Sequence, residues 1–175
     1  MQVSENQLGT VFWITGLAGS GKSSIGACLY MRLKEEKNNV IFLDGDKVRE
    51  MMGNDLGYEI SDRIKNAYRI SSLCKFLSDQ GHDVICSTIS LFPEILDWNR
   101  ANIEHYFQIY IKVSKNILHE RNQKGLYSGV IAGTEKNVMG VDLDFHNPEN
   151  SDLIIENNDK LESFDEIVNS IQSLS

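Results

Sequence analysis

The 175-residue sequence predicts an α/β fold, a five-stranded parallel sheet with helices on both faces. Two observations carry this. Short continuous apolar runs of strand length alternate with stretches of helical spacing along the chain, a pattern typical of strands buried on both sides. The first of these runs also leads directly into a glycine-rich segment that opens a helical pattern.

Val11-Phe12-Trp13-Ile14-Thr15 is the first strand, and residues 23–36 form a helix with Ile25, Leu29 and Leu33 on one face. Val40-Ile41-Phe42-Leu43 is the second strand and ends at Asp44-Gly45-Asp46. Residues 62–80 repeat apolar positions at helical spacing (Ile70, Leu73, Cys74, Leu77), and Gly81 is the expected stop. Val84-Ile85-Cys86 is a third strand, residues 106–113 contain a fourth, and Leu153-Ile154-Ile155 is a fifth. Helices are expected over residues 93–103 and 115–122, and a last one from Ser163, where Glu166 completes a capping-box pattern. Residues 124–150 fit neither period. A long irregular segment inside a compact domain is a functional lid or a plain surface loop.

Composition places these elements in one domain spanning residues 1–175. The hydrophobic share of 41% and charged share of 24% are those of a globular protein. No apolar run has the length of a membrane span, and Met1-Gln2-Val3-Ser4-Glu5-Asn6 lacks the basic-then-apolar character of a signal peptide, so a cytoplasmic location is expected. Cys28, Cys74 and Cys86 stand among apolar neighbours without paired spacing and read as small core residues. The four histidines have no metal-ligand spacing. A net charge of −8 argues against nucleic acid as a partner. A small anionic substrate remains compatible, because a local group of cations and backbone N–H groups binds phosphate inside an acidic protein.

Gly16-Leu17-Ala18-Gly19-Ser20-Gly21-Lys22-Ser23 matches the phosphate-binding pattern G-x-x-x-x-G-K-[ST], with the required strand before it and helix after it. The alternative, a chance glycine-rich turn, does not account for both flanks. Gly16, Gly19, Ser20, Gly21, Lys22, Ser23 and the adjoining Ser24 are therefore the expected ATP site. Lys22 would reach the β- and γ-phosphates, and the Ser23 hydroxyl would ligate Mg²⁺. No N-K-x-D tetrad for reading guanine is present, and the chain is short for a motor ATPase. A small-molecule kinase fits better.

Asp44-Gly45-Asp46-Lys47-Val48-Arg49 follows the second strand, at the sheet edge where open α/β folds bind ligands. A carboxylate there can orient an acceptor hydroxyl, accept its proton or hold magnesium, and Arg49 can bind an anionic group. The plainer reading makes Asp46 a helix N-cap followed by a solvated arginine.

At these residues the sequence resembles the adenylylsulfate kinases, which phosphorylate the 3′-hydroxyl of adenylyl sulfate with ATP. The resemblance runs from Val11 to Asn157. It rests on the phosphate loop, Leu43-Asp44-Gly45-Asp46, Asp55-Leu56-Gly57-Tyr58, Asp62-Arg63 with Asn66 and Arg69, Ile89-Ser90, Lys124-Gly125-Leu126-Tyr127 and Pro148-Glu149-Asn150. It implies a P-loop kinase fold with a lid and a possible homodimer. Asp46 would lie nearest the acceptor hydroxyl, as base or, with Ser23, as magnesium partner. Asp44, Arg49, Arg63, Asn66 and Arg69 would hold the substrate's 5′-ester and ribose, with Ile89 and Ser90 beside them. Tyr58 would stack on the base in place of a phenylalanine, and Arg121 would lie against the ATP adenine. Lys124, Gly125 and Leu126 would bind substrate, with Lys124 in the mobile lid approaching the transferring phosphate.

The departures from the family pattern lie on the acceptor side. The chain has Leu91-Phe92-Pro93 where the family has Pro-Tyr, and Lys47 where it has asparagine. Ser128-Gly129-Val130-Ile131 replaces basic residues, and Val138 stands where a lid phenylalanine would complete the clamp on the adenine. Losing one aromatic face forfeits roughly 1–3 kcal/mol of stacking per base. Adenylyl sulfate is the leading substrate on the family pattern. The alternative is a related cytidine diphosphoramidate kinase of capsular polysaccharide modification, whose smaller pyrimidine suits a trimmed clamp. A non-catalytic nucleotide switch is disfavoured because Asp46 and Lys124 are both present. A kinase for another small metabolite leaves the later motifs unexplained.

Overall fold

The computed structural model describes residues 8–159 and 164–175. Five strands, β1 (Val11–Thr15), β2 (Val40–Asp44), β3 (Asp83–Thr88), β4 (Tyr106–Lys112) and β5 (Leu153–Glu156), form a sheet in the order β2-β3-β1-β4-β5. Every pairing is parallel, with Val11 opposite Val84 on one side and Tyr106 on the other. The helices are α1 (Lys22–Glu36), α2 (Gly45–Met51), α3 (Ile60–Ser78), α4 (Pro93–Asn102), α5 (Lys115–Arg121), α6 (Leu126–Ala132) and α7 (Asp165–Gln172).

Alternation along each strand feeds two cores. Val11 and Trp13 of β1 join Val84 and Cys86 under α3 and α4, while Phe12 and Ile14 join Ile85, Ile109 and Ile111 under α1 and α7. The central strand β1 is thus apolar over residues 11–14 because each face has its own core. Each such side chain contributes about 1.5–3 kcal/mol by leaving water. The half-buried Arg32 ties α1 to α7 through Asp165 at 2.7 Å and Asn169 at 3.1 Å.

Strand order reverses at β1. The chain leaves it toward β2 and β3 on one side and returns to β4 and β5 on the other. The loop after β1 therefore opens into a crevice at the carboxyl ends of the strands, where ligands bind in such sheets. A third apolar cluster (Leu17, Ala18, Leu91, Tyr110, Leu118, Tyr127, Met139) floors this end.

Several sequence expectations change. The segment after Gln123 contains α6, so it is irregular only beyond Ala132. The acidic turn after β2 is itself the short helix α2, and its N-cap is Asp44, not Asp46. Cys28 is exposed, because Ile25, Gly26, Leu29 and Leu33 form the buried stripe of α1 and Cys28 falls outside it; Cys74 and Cys86 are buried. Ser163, the expected start of the last helix, lies outside the described residues.

Candidate active site

The loop between β1 and α1 wraps a helix N-terminus with no side-chain cap and no acidic residue in its first turn. Its N–H groups are thus free to face an anion. Gly16 is required by proximity, since a Cβ there would sit 2.6 Å from the Ile111 carbonyl oxygen and 2.7 Å from Ser20 Oγ. Gly21 is required by conformation, with φ +93° just before α1. Lys22 Nζ reaches back to the Leu17 carbonyl at 3.3 Å. Burial lowers the Lys22 pKa to about 8, against the opposing pull of Asp46 and Asp44.

A cleft of about 790 Å³ opens in front of this loop. Gly19, Gly21, Lys22, Ser23 and Ser24 line it from the phosphate-loop side, whereas Gly16 and Ser20 lie behind it as support. Asp44, Asp46 and Arg49 line it from β2 and α2, and Tyr58, Arg63 and Asn66 from the turn before α3 and from α3 itself. Ile89 and Ser90 come from the chain after β3, and Lys124, Leu126 and Val138 from the lid. Gly125 stays off the lining. Its φ of +71° continues a left-handed stretch begun by Asn122 at +37° and Lys124 at +54°.

Two carboxylates divide the centre between them. Asp44 Oδ1 accepts the Asp46 and Lys47 N–H groups at 3.0 and 3.4 Å, while Oδ2 accepts the Ser23 hydroxyl at 2.6 Å. Asp46 Oδ2 instead receives Lys124 Nζ at 2.8 Å. Ser23 is thus hydrogen-bonded to Asp44 rather than to Asp46, the residue expected beside it at magnesium. Two neighbouring oxygen donors fit Mg²⁺, which keeps several waters and relies on substrate phosphates for the rest of its shell. Partial desolvation at the cleft pushes the Asp46 carboxyl up, but the hydrogen bond and charge of Lys124, with Lys22 and Arg49, outweigh it and hold the group below the usual carboxylate range. Lys124 is raised by the same contact.

On the acceptor side the arginines also build the wall. Arg49 donates to the carbonyls of Leu56 and Gly57 at 2.7 and 2.9 Å and lies 4.6 Å from the centroid of the Tyr58 ring. Arg63 donates to the Tyr58 carbonyl at 2.9 Å and the Asn137 carbonyl at 2.6 Å, with its guanidinium 5.3 Å from the same ring. Tyr58 is 55% exposed and Val138 only 5%. Arg69, expected among the substrate ligands, makes a bidentate pair with Asp55 at 2.7 and 2.8 Å and does not line the cleft. Arg121 is also outside the lining. Its guanidinium donates to the carbonyls of Gly19, at 3.1 Å, and Asn157, at 2.8 Å.

Sequence reading missed Asn157, which donates to the Ser20 carbonyl at 2.8 Å. Its one signal was position, just past a strand that ends beside the phosphate loop. Tyr127 was noted only as part of a motif; it is 2% exposed and its hydroxyl donates to the Ala18 carbonyl at 2.8 Å.

A parallel sheet switching direction at a G-x-x-x-x-G-K-S loop, with acidic residues on the neighbouring strand end and a lysine-bearing lid, defines a P-loop kinase. Residues 8–156 match the adenylylsulphate kinase family, and the chain belongs to it. It is an ATP-dependent phosphotransferase. Among curated relatives, the cytidine diphosphoramidate kinase of Campylobacter jejuni is 46% identical over 84% of this chain and 85% of its own. The adenylyl-sulfate kinase of Gloeothece citriformis is 35% identical over 94% and 93%. Among solved structures, the Mycobacterium tuberculosis APS kinase in complex with AMPPNP and APS superposes with a TM-score of 0.87 at 32% identity, covering 95% of this chain and 97% of that one.

Proposed function

We propose that this kinase transfers the γ-phosphoryl group of ATP to the 3′-hydroxyl of a cytidine nucleotide, cytidine diphosphoramidate. The observation that carries the choice of acceptor is Val138, which is buried and lines the cleft where an aromatic clamp would serve a purine. The greater identity to the Campylobacter jejuni enzyme, 46% against 35% for the Gloeothece citriformis adenylyl-sulfate kinase, supports the same reading. Adenylyl sulfate is the second reading, favoured by the family and by the exposed Tyr58 ring, which can stack on either base.

In this reading Gly19, Gly21, Lys22 and Ser24 hold the ATP phosphates, and Ser23 with Asp44 would hold Mg²⁺. Magnesium, when bound, neutralises charge on the β- and γ-oxygens. Asp46 holds the acceptor hydroxyl and takes its proton. Its depressed pKa makes it a weak base, which suffices where the transition state is loose and proton loss late. Lys124 sits beside it to neutralise the transferring group. Arg49, Arg63 and Asn66 hold the acceptor's anionic ester and ribose. The test is product identification after incubation with ATP, magnesium and cytidine diphosphoramidate. A new phosphomonoester on the 3′-oxygen, read by phosphorus NMR and mass, is expected; unchanged acceptor contradicts the proposal.

A further inference from the structure

The carbonyl groups of the phosphate loop are taken by side chains from elsewhere in the fold. Tyr127 of α6 donates its hydroxyl to Ala18 at 2.8 Å, Arg121 of α5 donates to Gly19 at 3.1 Å, and Asn157 beyond β5 donates its amide to Ser20 at 2.8 Å. The next carbonyl upstream, Leu17, accepts the Ser20 N–H at 3.1 Å and Lys22 Nζ at 3.3 Å, and the next downstream, Gly21, accepts the Ile25 N–H at 3.0 Å. Leu17 to Gly21 is thus a run of consecutive carbonyls, each with a partner on the protein side.

A peptide unit is planar, so a carbonyl fixed in one direction sends the N–H of the following residue in the other. Anchoring the carbonyls of Ala18 and Ser20 therefore aims the N–H groups of Gly19 and Gly21, and anchoring that of Gly19 keeps the Ser20 N–H on the Leu17 carbonyl. Glycine-rich loops otherwise sample many backbone states, and ordering them at the moment of binding costs affinity. Gly21 also makes room for the anchor, because a Cβ there would lie 2.7 Å from Asn157 Nδ2. Tyr127 and Asn157 are buried at 2% and 5% exposure, and their polar ends are spent on these carbonyls.

We propose that Tyr127, Arg121 and Asn157 are positioning residues that hold the phosphate loop in its nucleotide-binding peptide orientation before ATP arrives. They touch the loop and leave the acceptor side alone. Tyr127 also carries this constraint from the lid, lying three residues after Lys124 on the helix that follows it.

The test uses Tyr127→Phe, which removes one hydroxyl and keeps the packing, and Asn157→Asp, which keeps shape but replaces the donor with an acceptor facing a carbonyl. ATP binding with magnesium is measured by calorimetry, the KM for each substrate by steady-state assay, and amide exchange by mass spectrometry. Each variant is expected to bind ATP about five- to tenfold more weakly, the size of one buried hydrogen bond. The acceptor KM stays within about twofold, the range of a surface change. Exchange should rise in a peptide covering residues 16–23 and remain unchanged in β3 and α3. ATP affinity within about twofold of the parent in either variant overturns the proposal, that being below one hydrogen bond. So does an equal loss for ATP and acceptor, the mark of a general structural role.

Discussion

Lys124 Nζ lies 2.8 Å from Asp46 Oδ2, joining the lid to the first turn of α2 across 78 residues of sequence. Both side chains are largely exposed, at 63% and 74%, so the pair contributes only about 0–1 kcal/mol to the fold. It is therefore easily opened by an incoming substrate. Lys124 holds a left-handed backbone conformation, φ +54°, that favours glycine. A left-handed residue in a weak, exposed pair adds little to stability, which is in keeping with the role proposed for Lys124 in phosphoryl transfer.

Asp46→Asn is expected to lower turnover by about 10²–10⁴-fold, the range for loss of a positioned proton acceptor. ATP affinity, read by calorimetry, should change little, because the amide retains the shape and Lys22 keeps its contact with Leu17. Normal turnover in this variant removes Asp46 from the chemistry.

The pH dependence has opposite origins at its two ends. Asp46 has a depressed pKa, so it stays ionised as pH falls through the usual carboxylate range and activity persists there. Lys22 is pushed down to about 8, so it loses its proton, and with it the attraction for phosphate, as pH rises through that value. ATP affinity should fall by up to about tenfold per pH unit above about pH 8, and binding should take up close to one proton there. Calorimetry in two buffers of different ionisation heat measures both; a flat affinity between about pH 7 and 9 contradicts the buried-lysine account. Lys22→Ala should weaken ATP binding and turnover together and abolish this alkaline limb.

Val138→Phe rebuilds an aromatic face in the cleft that holds Tyr58. The ratio of kcat/KM for adenylyl sulfate to that for cytidine diphosphoramidate should rise by about 5–150-fold, as expected from stacking of roughly 1–3 kcal/mol. A ratio that does not move places base discrimination elsewhere.

The five strands and the phosphate loop were legible because each strand contains a short apolar run and the loop needs its residue types in order. The short helices α2 and α6 were not. Gly45–Met51 is mostly polar and owes its start to the Asp44 side chain. Leu126–Ala132 is bracketed by left-handed Gly125 and Gly133, which read as loop. Resemblance brought Asp46, Lys124, Arg49 and Arg63 to one cleft, yet it left Arg69 there as well, and the Asp55 pairing that withdraws it is a tertiary fact. Asn157 was invisible for a related reason. Its role depends on β5 lying next to β4, which delivers the chain back to Ser20 across 137 residues.

The most direct measurement is kcat/KM for cytidine diphosphoramidate and for adenylyl sulfate on one preparation, with saturating ATP and magnesium. The account predicts a preference of about tenfold or more for the cytidine compound, the value of one missing aromatic face. A preference of that size for adenylyl sulfate would contradict it and return the chain to the reaction for which its family is named.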